Sequence, residues 1–357
     1  MSLDRRRTSV KRVFLSLLFS ALASAGLLFA LEMGLQQLGS HVRINREELY
    51  LFAGVSAFIL FVFTVHPANR PLRFLKNLGR LILLVLLAAL VWGYAAVWTG
   101  QNAFLYPPVR ANAKAEERLR ALPNAEQMTI PGENGEQYNG WFIKNGTEKA
   151  GLILYFGGNG EESASRAESM AQLTGKEMLT GFHFMCLDYP GTGHSTGQRD
   201  EESIYRMARA AWDQAAARED VNPEKIVLAG WSLGTGTAVR LTDEKHPAGL
   251  ILFAPYYNGG ELVKSNIGQL LQTSIPIPLP IRNPYRSDHY ARNIQTPVLV
   301  VAARDDRLVP YAQSQRLAGQ FPAAQLVSLE TGGHGAMWQD QAALTAVYQF
   351  LQGLQNR

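Results

Sequence analysis

The stretch Gly230-Trp231-Ser232-Leu233-Gly234 constrains this chain more than any other. It lies between a run from Lys225 to Ala229 that reads as a strand and a run from Thr235 to Asp243 that reads as a helix. A serine on a sharp strand-to-helix turn must take a strained backbone, and glycines two residues to either side remove the Cβ atoms that would clash there. The spacing therefore makes Ser232 a candidate nucleophile. The same five-residue pattern recurs at Gly193-His194-Ser195-Thr196-Gly197. There, Pro190, Gly191 and Gly193 precede the serine and polar Gln198-Arg199-Asp200 follows it, so Ser195 is predicted to lie in a loop.

A serine is a weak nucleophile without a base to take its proton and an acid to orient that base. Both are present downstream. Pro297 to Ala302 reads as a buried parallel strand that runs straight into Arg304-Asp305-Asp306-Arg307-Leu308-Val309-Pro310, which places a carboxylate just past a strand's C-terminal end. The short apolar run Leu326 to Leu329 is followed by Glu330-Thr331-Gly332-Gly333-His334-Gly335, which puts His334 on a glycine-rich loop at the same sheet edge.

Taken in order, Gly157-Gly158-Asn159-Gly160, then Asp188-Tyr189-Pro190-Gly191-Thr192-Gly193-His194-Ser195, then the turn at Ser232, then Asp306-x-x-Val309-Pro310 with His334, carry a resemblance. Over residues 128–357 the chain resembles the α/β-hydrolase superfamily, and most its BEM46-like, lysophospholipase-type branch. The resemblance implies an α/β fold, a mostly parallel sheet with helices on both faces. It selects Asp306 over Asp305, because in the family the acid precedes Val-Pro by three positions, and it gives Asp188 a structural role in its turn. It also implies an oxyanion hole made by the backbone N–H groups of Leu233 and Asn159. The family usually has His-Gly-Asn where this chain has Gly157-Gly158-Asn159.

Activity follows as an expectation. Ser232, Asp306 and His334 would cleave a carboxylic ester or thioester, of a lipid or other acylated small molecule, through an acyl-enzyme and without a cofactor or metal. A serine peptidase or an acyltransferase would use the same three residues, differing in leaving group or acceptor. A non-enzymatic membrane scaffold on the same fold is the alternative from another class. The remaining histidines, at positions 41, 66, 183, 194, 246 and 289, are read as surface or packing residues, with no acid partner in sequence for His183 or His194. Arg304 and Asp305 are read as solvated loop charges.

The other hundred residues are N-terminal and hold three charge-free apolar runs, 13–31, 49–65 and 81–98, each near the ~20 residues a helix needs to cross a bilayer. Residues 1–99 are therefore expected to be a transmembrane region of about three helices and residues 100–127 a juxtamembrane linker. A cleaved signal peptide competes for the first run, since Arg5-Arg6-Arg7 precedes it and Ala23-Ser24-Ala25 resembles a cleavage site, but the apolar run continues to Leu31. Five Lys and Arg residues lie in 1–12, four in 66–80 and two in 32–48, which makes the start and the second loop cytoplasmic. Three crossings then put the catalytic domain on the far, non-cytoplasmic side of a multi-pass cell-membrane protein. A middle run that stopped short of crossing would put it in the cytoplasm.

Composition excludes other classes. Cys186 is the single cysteine and lies in an apolar strand, so neither a disulfide nor a cysteine metal site is available. A net charge of +4, partly placed beside the apolar runs, gives no argument for nucleic acid. Strand-like and helix-like runs alternate from Tyr138 to Leu354, as a doubly covered parallel sheet requires. Residues 256–294 break that alternation and read as a short lid-like insertion, in which prolines at every second position of Ser274 to Ile281 forbid an ordinary helix and make it either a lid or acyl-chain wall or a proline-stiffened packed connector. Nothing in the sequence indicates an oligomeric state.

Overall fold

The computed structural model describes residues 71–356, apart from 108, 147–148, 175–178, 180, 272–280 and 336–339. The apolar runs 13–31 and 49–65, and nearly all of the proline-rich 274–281, lie outside the described residues. The chain divides into two compact units, one ending at Phe104 and the other spanning Leu105–Arg357.

The described part of the first unit belongs to helix α1, Pro71–Leu105. Its side chains are described only in part, and over the described residues no helix is long and apolar enough to cross a membrane. Within it, Leu83, Leu86, Leu90 and Val91 are 56–68% exposed.

The second unit is built on an eight-stranded sheet in the order β1-β2-β4-β3-β5-β6-β7-β8. The strands are β1 (Ala125–Pro131), β2 (Gln137–Ile143), β3 (Ala150–Phe156), β4 (Phe182–Leu187), β5 (Val221–Trp231), β6 (Gly249–Phe253), β7 (Val298–Ala303) and β8 (Ala324–Leu329). The β1–β2 and β2–β4 pairs are antiparallel and all others parallel. Every residue of β4, β6 and β7 is buried, the pattern of strands covered on both faces. The covering helices are α2 (Ala113–Arg120), α3 (Ser163–Thr174), α4 (Glu201–Ala216), α5 (Leu233–Lys245), α6 (Gly259–Leu271), α7 (Ser287–Tyr290), α8 (Tyr311–Ala318) and α9 (Gln341–Gln355). Side chains alternate between two apolar clusters, one holding Leu152, Leu154 and Leu228, the other Ile153, Tyr155 and Val227. This is the expected α/β fold.

Residues 105–127, read from sequence as part of a linker, belong to this unit. The Tyr106 side chain is buried, and its hydroxyl lies 2.7 Å from that of Tyr285. Helix α2 is capped by Asn112, whose Oδ1 accepts from the Ala115 N–H, and it buries Leu119 completely. Arg118 on α2 pairs with both carboxylate oxygens of Glu168 on α3. The segment 256–294 contributes α6 and α7 and is tied back to α4: the Glu201 N–H donates to Asn283 Oδ1, and Glu201 Oε2 accepts from the Tyr285 N–H.

Candidate active site

Strand β5 ends at Trp231 and α5 begins at Leu233, so Ser232 alone makes the turn. Its φ of 51° and ψ of −115° lie where a non-glycine residue is rare and costs about 1–3 kcal/mol. The surrounding backbone holds it there: the Ser232 N–H donates to the Phe253 carbonyl at the end of β6, and the Ser232 carbonyl accepts from the Thr235 hydroxyl at 2.6 Å. The turn pushes the hydroxyl out above the carboxyl edge of the sheet.

His334 and Asp306 come to that same edge from the loops after β8 and β7. His334 Nε2 is 2.8 Å from Ser232 Oγ, and His334 Nδ1 is 2.8 Å from Asp306 Oδ2. The tautomer that satisfies both contacts has Nδ1–H donating to the carboxylate and Nε2 accepting from the serine hydroxyl. The other Asp306 oxygen accepts from the N–H groups of Leu308 and Val309, at 2.8 and 2.9 Å, so the carboxylate cannot swing away. The Asp306 side chain is 1% exposed and that of His334 is 16% exposed, so the pair is shielded while the histidine still reaches the serine.

Of the backbone donors, Leu233 opens α5, where helix N–H groups lack an intrahelical partner. Asn159 lies on the loop between β3 and α3. The two residues line one small cavity of about 10 Å³, whose wall also includes Tyr106, Val109 and Arg199. The structure thus brings together all five residues singled out in the sequence.

The second serine is occupied elsewhere. Ser195 Oγ donates to the Asp188 carbonyl and accepts from the Asn139 N–H, both at 2.8 Å, which ties its loop to β2. Asp188 accepts from the N–H groups of Ser163 and His194, while burial pushes its carboxyl above the usual range. Burial likewise raises the Cys186 thiol, which keeps it unreactive.

One sequence expectation needs correction and another gains a contact. His194 does have an acid partner: its Nε2 lies 2.7 Å from Glu116 Oε1, on a helix 78 residues away where no local signal could reveal it. Asp305 is exposed but not idle. Its carboxylate accepts from the N–H groups of Gly333 and Gly332, at 2.8 and 3.2 Å, and those donors hold it below the usual carboxylate range. It therefore tethers the loop that carries His334.

Sequence reasoning also missed Trp231, whose Nε1–H donates to the His334 carbonyl, and Glu161, whose carboxylate accepts from the Gly158 N–H. A tryptophan inside the turn motif was the available signal for the first. Glu161 offered none, since its partners come from separate elements.

Comparison with known proteins agrees with this fold. Residues 151–255 match the family model for the alpha/beta hydrolase fold, and residues 272–355 match that of a TAP-like protein. An uncharacterised Mycobacterium tuberculosis protein is 27% identical over 259 residues, covering 71% of this chain and 88% of that protein. A zebrafish (Danio rerio) lysophosphatidylserine lipase is 29% identical over 190 residues, about half of each chain (50% and 49%). Among solved structures, a Pyrococcus furiosus esterase superposes with a TM-score of 0.55 at 20% identity, covering 70% of this chain and 97% of its own, a likeness of fold.

Proposed function

The chain is a serine hydrolase of the α/β-hydrolase superfamily, and on that premise we propose that it cleaves a carboxylic ester or thioester of a lipid or other acylated molecule at the membrane. The observation that carries the reading is the continuous row from Ser232 through His334 to Asp306, with both contacts at 2.8 Å and the serine on a strained turn.

The chemistry follows from the row. Ser232 Oγ attacks the acyl carbon as its proton passes to His334 Nε2, and Asp306 stabilises the resulting imidazolium. The carbonyl oxygen becomes an oxyanion facing the N–H groups of Leu233 and Asn159, each donor being worth about 3 kcal/mol at such a site. Collapse expels the alcohol or thiol, which takes the proton from His334. Water, deprotonated by His334, then attacks the acyl-enzyme and frees the acid and Ser232.

Membrane anchoring is supported by the three apolar runs and by the exposed leucine-rich side of α1. A lipid substrate is supported by that anchoring and by the lysophosphatidylserine lipase among the relatives. The Lys and Arg counts favour a catalytic unit on the non-cytoplasmic side. A C-terminal tag cleaved by protease added to intact cells agrees with this placement, and a fully protected tag refutes it.

The hydrolase test uses detergent-solubilised full-length protein and its Ser232→Ala variant with a fluorophosphonate probe, followed by p-nitrophenyl esters of increasing acyl length. The expected result is labelling and turnover in the wild type that vanish in the variant, with turnover rising toward longer chains. Folded wild type that is neither labelled nor active removes the reading, and a preference for the shortest esters removes the lipid substrate.

A further inference from the structure

We infer that Glu161 and Arg166 form a positioning pair that aims the oxyanion donor at Asn159 and, through Trp231, seats the loop of the catalytic histidine. The inference rests on the reading of Ser232 as nucleophile.

A trans peptide is rigid, so fixing the carbonyl of one residue fixes the N–H of the next. The carbonyl of Gly158 accepts from the Glu161 N–H at 3.2 Å, which sets the plane that carries the Asn159 N–H. The preceding plane is held at both ends. The Gly157 carbonyl accepts from the Tyr189 hydroxyl at 2.6 Å, and the Gly158 N–H donates to Glu161 Oε2 at 2.8 Å. Glu161 thus touches both planes leading to the donor, once with its backbone and once with its side chain.

The carboxylate is itself over-determined. Oε2 also accepts from the Tyr155 hydroxyl at 2.9 Å, and Oε1 is paired with Arg166 Nε. The two paired side chains are only 11% and 14% exposed, so each charge depends on the other. The carboxylate fills the space beside Gly157, where a Cβ would come within 2.9 Å of Oε2. Glycine at 157 is therefore the partner of Glu161, and a larger residue there would unseat the carboxylate that holds the loop.

From Arg166 the contact continues to the other half of the site. The guanidinium lies 5.3 Å from the Tyr155 ring centroid and 5.8 Å from that of Trp231, within the reach of a cation over an aromatic face. The Trp231 ring sits directly against Gly158, where a Cβ would come within 2.6 Å of it, and its Nε1–H donates to the His334 carbonyl. One largely shielded ion pair therefore bears on the oxyanion loop and on the base. A positioning pair of this kind acts on the transition state more than on substrate binding.

The test measures kcat and KM on one p-nitrophenyl ester, and Ki for a trifluoromethyl ketone with the same acyl chain, in full-length protein. Glu161→Ala is expected to lower kcat by about 100-fold, near what loss of an oxyanion donor costs, with KM within about twofold and Ki weakened by the factor lost from kcat/KM. Glu161→Gln, which keeps an oxygen for the Gly158 N–H but leaves Arg166 without its carboxylate, is expected to recover only part of that loss. A folded Glu161→Ala protein with wild-type kcat, or with lost activity but unchanged Ki, overturns the proposal. If Glu161→Ala does not fold, Arg166→Lys decides: about a fivefold or greater fall in kcat at unchanged KM supports the pair, and wild-type kcat overturns it. Failure of the wild type to react with fluorophosphonate removes the hydrolase reading, and this inference with it. An active wild type matched by its variants removes the inference alone.

Discussion

Trp231 holds the loop of His334 from below: its Nε1–H donates to the His334 carbonyl at 3.1 Å, and the two rings lie 5.4 Å apart at an angle of 33°. The residue before the nucleophile thus fixes the backbone of the base, so one strand end sets both partners of the proton transfer. Trp231→Phe keeps a ring against the imidazole and removes the donor. A hydrogen bond of about 1 kcal/mol corresponds to a fall in kcat of about fivefold, read by steady-state kinetics at fixed pH. Unchanged kcat would reduce the tryptophan to packing.

The adjacent aspartates separate by what they hold. Asp306 orients the imidazole, so Asp306→Asn, which favours the wrong tautomer, is expected to lower kcat by about 10⁴-fold. Asp305 holds only the loop backbone through Gly333 and Gly332, and Asp305→Asn retains an acceptor oxygen, so its loss is expected to be about tenfold at most. Because those donors depress the Asp305 pKa, its tether is complete above the ordinary carboxylate value and is lost only as pH falls through the depressed one. The kcat–pH profile of Asp305→Asn should therefore parallel that of the wild type between pH 6 and 9. A larger loss in Asp305→Asn than in Asp306→Asn would reverse the assignment.

His183 is expected to make stability depend on acid. It is fully buried between β4 and its neighbours, with Nδ1 accepting from the Asn145 N–H and Nε2–H donating to the Asp220 carbonyl, both at 3.0 Å. Burial lowers its pKa, and a proton on Nδ1 would set two donors against each other. The unfolded chain then binds more protons than the folded one at pH values between the lowered pKa and the ordinary value near 6.5. Stability from this group is complete above that ordinary value and declines as pH falls below it. Thermal melts from pH 8 to pH 5 should show a shallower decline for His183→Gln than for the wild type. Parallel declines would refute the assignment.

The reach of the sequence differs from residue to residue for physical reasons. Ser232 and Asp306 were legible because each follows a buried apolar run that ends abruptly at a polar loop, whereas His334 follows the half-buried β8 and was legible from its glycine-rich loop. Strand β4, at Phe182–Leu187, was legible from the apolar run around Cys186. Strand β1 was not, because as an edge strand it buries only Met128 and Ile130 and its polar positions resemble a linker. Helix α2 was hidden by its charge: two buried positions besides Leu119, Ala115 and Glu116, give no apolar stripe. Asp305 and the His194–Glu116 pair were illegible because their partners are backbone groups or distant residues, and Glu161 because its near neighbours Tyr155, Gly158 and Arg166 sit on a strand, a loop and a helix that meet only in the fold.

The glycines of the turn make the sharpest stability prediction, because they allow the nucleophile's helix to touch the oxyanion strand. A Cβ on Gly234 would lie 2.1 Å from the Phe156 carbonyl oxygen and 2.6 Å from that of Gly157. Both are backbone atoms at the end of β3, so neither can rotate aside, and relief requires α5 to move off the sheet. That motion would also carry Leu233 away from Asn159. Gly234→Ala is therefore expected to cost about 3 kcal/mol or more of stability and to abolish phosphonate labelling in whatever protein folds. Gly160 provides the contrast. Its φ of 80° strains any side chain, but a Cβ there meets nothing within 4 Å, so Gly160→Ala should cost about 1–2 kcal/mol. Chemical denaturation of the two variants, with labelling rates beside it, decides the matter: equal losses would show that backbone strain, and not the close approach of α5 to β3, is what the turn glycines relieve.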